Sequence, residues 1–104
     1  MAKFLAEARA EFFHEALWYE RRDRGLGRQF SAAIQAALRQ IEAYPQAWPP
    51  LNVPGSADGI VRQLPVPPFP HSVVYVAQPH LTVIAIASGR RRPQYWVKRL
   101  RKVQ

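Results

Sequence analysis

The chain has 104 residues, 48% of them hydrophobic and none of them cysteine, which excludes a disordered chain, a disulfide framework and a thiolate metal site. Its net charge of +8 is uneven: residues 1–52 carry seven Lys/Arg against six Asp/Glu (+1), and residues 53–104 carry eight against Asp58 alone (+7). Seven of those eight bases fall between Arg90 and Lys102, a block that attracts phosphate or acidic protein surfaces over a distance.

One compact domain spanning residues 1–104 is expected at this length. His14, His71 and His80 are far apart and no HExxH-type spacing links them, so neither a metal nor a cofactor is expected. The apolar runs are much shorter than a membrane span, and "MAKFLAEARAEFF" meets Glu7 before a signal-peptide core develops. A soluble cytoplasmic protein without a membrane partner is the expectation.

A short edge strand is expected at Ala2–Leu5, followed by a helix read over Phe4 to Arg24. Leu5, Ala8, Phe12, Ala16 and Tyr19 recur at three- and four-residue steps along it. Glu7 and Glu11 near its start, and Arg21, Arg22 and Arg24 near its end, match the macrodipole. "RGLG" supplies a tight break. The second helix has the clearest pattern, with Phe30, Ala33, Ile34, Ala37, Leu38 and Ile41 on one face, and Pro45 ends it. The short connection between the two helices predicts an antiparallel hairpin.

The proline-rich passage at residues 44–59 reads as a loop strapped over the core by Trp48 and Leu51. Strands are expected at Ile60–Leu64, residues 71–77 and residues 81–88, with "QPH" as a turn and "PVPPFP" as a stiff crossing. The run "VIAIA" predicts a central strand buried on both faces. Helices followed by strands give an α+β fold, a helical hairpin on one face of a small curved antiparallel sheet.

Three patterns in this order, "FLAEARAEF", "IEAYPQAWP" and "FPHSVVYVA…LTVIAIASGRRRPQYW", cover nearly the whole chain and resemble the RelE/ParE family of bacterial toxin–antitoxin toxins. The ending "GRRRPQYW" is most similar to the ParE-type branch. The resemblance implies a helical hairpin against a curved antiparallel sheet, and a cognate antitoxin whose acidic or amphipathic C-terminal segment wraps the toxin. It implies one of two activities, poisoning of DNA gyrase or cleavage of mRNA at the ribosome.

Cleavage of the RelE type would use basic side chains to stabilise a phosphorane and an acid–base group at the ribose 2′-OH, without a metal. Arg62, Arg90 and Tyr95 match or approach the positions concerned, although Ser88 stands where many relatives carry His. Between Trp48 and Leu64 only Asp58 and Arg62 are charged. Gyrase poisoning needs a binding surface rather than a catalytic set. Arg90, Arg91, Arg92, Tyr95, Trp96, Lys98, Arg99, Arg101 and Lys102 can provide one, since guanidinium forks suit phosphate and carboxylate and the aromatic rings give rigid contact area. A third reading is an inactive family member that only docks its antitoxin.

Plainer roles stand beside these. The three arginines read equally as a solvated charge run, Trp96 as a cover for the core, and Trp18 and Trp48 as packing. His71 reads as a strand-end cap before a general base, and His14 and His80 as surface residues.

Overall fold

The computed structural model describes residues 2–53 and 60–103. Its elements are β1 (Lys3–Phe4), α1 (Ala6–Arg22), α2 (Leu26–Ala43), β2 (Val61–Pro65), β3 (His71–Val76), β4 (Thr82–Ser88) and a 3-10 helix over Val97–Val103. The α+β class is as expected, and Asp58 lies outside the described residues.

The sheet order is β1-β4-β3-β2, so the apolar run of β4 occupies an interior position. The sheet is mixed rather than antiparallel: β1 runs parallel to β4, pairing Lys3 with Thr82 and Phe4 with Val83. Both helices, β2 and β3 intervene before the chain returns as β4, the kind of long crossover that parallel neighbours require. Because β1 claims Phe4, α1 starts at Ala6 rather than at Phe4, and it ends at Arg22 because Asp23 is extended.

Gly25 then takes the left-handed conformation (φ 89°) that lets α2 begin at once. No side chain at the N-cap position bonds the start of α2. Glu20 reaches across from α1 instead, accepting the Gly25 and Gly27 N–H groups at 3.0 Å each. These two bonds hold its carboxyl below the usual range against some desolvation, the Gly25 bond having the larger effect. Gly27 lies directly against α1: a Cβ there would lie 2.4 Å from the Ala16 carbonyl oxygen.

Alternation along the strands sends side chains to two cores. On one face Val73, Tyr75, Val83 and Ile86 pack against Phe30, Ile34 and Ile41 of α2 and Ala8 and Tyr19 of α1. On the other, Val74, Val76, Ile84 and Ala85 are covered by Trp96 and Leu100, with Val53 and Val61 alongside. A bulge sets this arrangement. Val74 pairs with Ala85 and Tyr75 with Val83, so Ile84 is the extra residue and shares a face with Ala85. The helices cover one face as expected, and the C-terminal segment covers the other.

Candidate functional site

The site lies where β3 begins and β4 ends. His71 pairs with Ser88, and the Gly89 N–H donates to the Pro70 carbonyl at 2.6 Å, tying the turn after β4 to the proline-rich crossing. Arg90 N–H donates to the Ser88 hydroxyl at 3.2 Å and Arg91 N–H to the Ser88 carbonyl at 3.1 Å. The three arginines therefore follow a hydrogen-bonded turn at the end of β4, an interior strand of the sheet.

Their side chains diverge. The Arg90 guanidinium lies 5.3 Å from the Trp18 ring centroid, a ring that also takes Arg22 at 4.3 Å. Arg91 goes the other way, 4.0 Å from the Tyr95 ring centroid. A cavity of about 560 Å³, lined by Gln63, Ser72, Arg92, Gln94 and Trp96 among others, opens on the Tyr95 side. A smaller one of about 240 Å³, lined by His14, Glu15, Trp18, Tyr19 and Arg90, opens on the helix side. His71, Ser88 and Arg91 line both. Among the described residues, no carboxylate lies within ion-pair distance of Arg90, Arg91 or Arg92.

His71 forms the floor. Its side chain is 2% exposed, and neither ring nitrogen has a hydrogen-bond partner among the described residues. Glu15 approaches Nε2 at 3.6 Å, and the rings of Phe30 and Tyr19 stand edge-on at 5.0 and 5.9 Å. Burial holds the imidazole below the ordinary histidine value. Glu15 opposes this, and Arg90 adds to it. The expected strand-end position is found, but as the buried first residue of β3.

The rest of the basic tail has other occupations. Arg99 forms a two-pronged ion pair with Glu11 of α1, at 2.9 Å on each prong, and Lys102 pairs with Glu7. Tyr95 donates its hydroxyl to Glu11 at 2.5 Å, and burial together with that carboxylate pushes its phenol well above the usual tyrosine range. Trp96 is 3% exposed and belongs to the second core, as the core-covering reading had it. Lys98 and Arg101 are exposed.

Arg62 is held elsewhere. It pairs with Tyr75 and so sits on the helical face, where its guanidinium donates to the Trp48 carbonyl and, at 3.5 Å, to that of Gln46. Its neighbour Gln63, on the opposite face, lines the groove instead. Arg62, Arg90 and Tyr95 thus have different partners: the Trp48 and Gln46 carbonyls, the Trp18 ring and Glu11. Burial first, and then the Glu11 carboxylate, favour the protonated Tyr95 phenol, which is the less suited to act as a general base.

Glu11, Glu15, Trp18, Arg22 and His71 belong to this region and were assigned no site role from sequence. A signal for the acids was present: Glu7, Glu11 and Glu15 stand at four-residue steps on one helix in a chain whose bases crowd its end. Nothing comparable marked Trp18, because a tryptophan on an amphipathic helix reads as packing. Among the described residues no cluster suited to a metal ion is present, and no helix is long and apolar enough to cross a membrane. No protein-family model, no curated protein and no solved structure matches the chain.

Proposed function

We propose that the chain is the toxin of a type II toxin–antitoxin system of the RelE/ParE kind, a ParE-like inhibitor of DNA gyrase silenced by a cognate antitoxin. The observation that carries this reading is the division of labour among the tail bases. Arg99 and Lys102 are engaged by Glu11 and Glu7, whereas Arg90, Arg91 and Arg92, on a hydrogen-bonded turn beside a groove, have no carboxylate partner among the described residues. Such a surface is suited to binding acidic or phosphate groups. The engagement of Arg62 by the Trp48 carbonyl, and of the Tyr95 phenol by Glu11, weighs against ribosome-dependent cleavage of mRNA.

The test is a supercoiling assay with purified gyrase and this protein. Inhibition of supercoiling with accumulation of cleaved DNA, relieved by the antitoxin, is expected. Unimpeded gyrase, with cleavage of ribosome-bound mRNA in parallel reactions, would replace this reading with the ribonuclease one.

A further inference from the structure

Three consecutive arginines line two adjoining cavities: Arg90 the smaller, Arg92 the larger, and Arg91 both. A single small anion engages one of these positions. A polymer with repeating negative charges engages all three, and the guanidinium fork matches the paired oxygens of a phosphodiester. Stacking on Trp18 and on Tyr95 holds two of the forks in place before any ligand arrives.

Beneath them lies a buried imidazole with no close hydrogen bond among the described residues, its Nε2 3.6 Å from the Glu15 carboxylate, an uncommon state for a polar group at this depth. The groups that face it are Glu15, Glu11 and Tyr19 from α1 and Arg90 from the turn, with His14 and Arg91 lining the cavity beside it. Phe30 of α2 offers it a ring and no charge. A proton on His71 gains Glu15 and opposes Arg90. An anion seated on Arg90 removes that opposition, so anion and proton favour each other and the coupling is reciprocal.

We propose that this end of the sheet is a nucleic-acid phosphate site in which His71 takes up a proton as the phosphodiester backbone seats on Arg90 and Arg91. It deepens the gyrase reading, on which it rests, by giving the toxin a direct contact to the DNA that gyrase holds. The affinity for DNA then rises as pH falls. Above the His71 pKa of the complex the gain is absent, and below the pKa of the free protein it is complete. Each unit by which DNA raises that pKa strengthens binding about tenfold.

The test measures binding of a fluorescent DNA duplex at constant ionic strength, at about pH 5.5 and about pH 7.5, the interval in which histidine titrates. The imidazole signal of His71 is followed by NMR with and without the duplex. Wild-type protein and His80→Gln are expected to bind about tenfold more tightly at the lower pH, with the His71 titration moved upward by DNA. The gain is lost in His71→Gln and reduced in Glu15→Gln, a variant that leaves the imidazole in place. A wild-type affinity that is flat with pH, a gain that survives in His71→Gln, or a His71 titration that DNA leaves unmoved would overturn the proposal. An acidic peptide moving the titration as DNA does would overturn the assignment to phosphate, and inorganic phosphate moving it less than the duplex supports a polymeric ligand. Gyrase inhibition assayed on the same samples separates the two ideas. If inhibition persists while DNA binding is flat, only this proposal fails. If the DNA gain is present while gyrase is untouched, only the gyrase reading fails.

Discussion

Glu11 and Arg99, 88 residues apart, complete the outer edge of β4 where the strand beside it runs out. β1 stops pairing at Phe4↔Val83, and beyond that point Glu11 accepts the Ile86 N–H at 3.1 Å while Arg99 donates to the Ile84 carbonyl at 3.1 Å. Two side chains joined by a two-pronged ion pair thus satisfy backbone groups that a longer β1 would otherwise have bonded. The same pair fastens the C-terminal segment across the second core, linking the bulge of β4, α1 and the tail in one arrangement.

Replacing Glu11 by Gln removes the charge from this arrangement and weakens the bonds to Arg99 and Tyr95. A loss of about 2 kcal/mol in stability is expected, and about 1 kcal/mol for Tyr95→Phe, which removes one hydrogen bond. Urea unfolding of the two single variants and the double variant reads both the losses and their coupling. Additive losses would show that the phenol and the ion pair act independently.

Gly27→Ala tests the contact between the helices. Alanine is the better helix former by about 1 kcal/mol, yet its Cβ would meet the Ala16 carbonyl oxygen at 2.4 Å, and backbone cannot move aside. A net destabilisation of about 2 kcal/mol is expected from denaturant unfolding, with the hairpin forced apart. A neutral result would mean that the two helices slide freely past each other.

Acid is expected to destabilise the fold through two carboxylates of α1. Lys102 holds the Glu7 carboxyl below its ordinary value of 4.5, and the Gly25 and Gly27 N–H groups do the same for Glu20. A folded pKa below the unfolded one contributes stability that is full above the unfolded value and is lost as pH falls through the folded one. Melting temperature measured downward from pH 7 should therefore fall in two stages, first through the histidine range because buried His71 is held below its ordinary value of 6.5, and more steeply below about pH 5 as the two carboxylates protonate. Glu20→Gln should flatten part of that drop.

The basic residues should separate by function. Replacing Arg91 and Arg92 together by Ser is expected to abolish the proposed gyrase inhibition with little change in stability, because no ion pair among the described residues is lost. Lys98→Ser with Arg101→Ser, on the exposed side of the 3-10 helix, should reduce inhibition only through net charge. Supercoiling assays beside thermal melts distinguish the pairs.

Arg62→Ala should behave in the opposite sense. Its guanidinium ties the Trp48 and Gln46 carbonyls to β2, so stability is expected to fall by about 1–2 kcal/mol while the proposed gyrase inhibition is kept. Deleting residues 97–104 is no clean functional test. It removes Leu100 from the second core together with Arg99 and Lys102, and loss of cooperative unfolding is the expected result.

What the sequence by itself determined was local. The three- and four-residue spacing of α2 and the unbroken apolar run of β4 each depend on near neighbours, and each was legible in order. The candidate arginines were legible too, since charge crowding is a linear property. Only the tertiary structure decided what those charges do. Arg99 and Lys102 find their partners 88 and 95 residues away, so nothing within a helical turn of either reveals that they are fastened. The parallel placement of β1, the second core beneath Trp96 and Leu100, and the buried His71 between Glu15 and Arg90 have the same origin. Each is a meeting of distant segments, fixed by which faces the sheet leaves uncovered once its strands have paired.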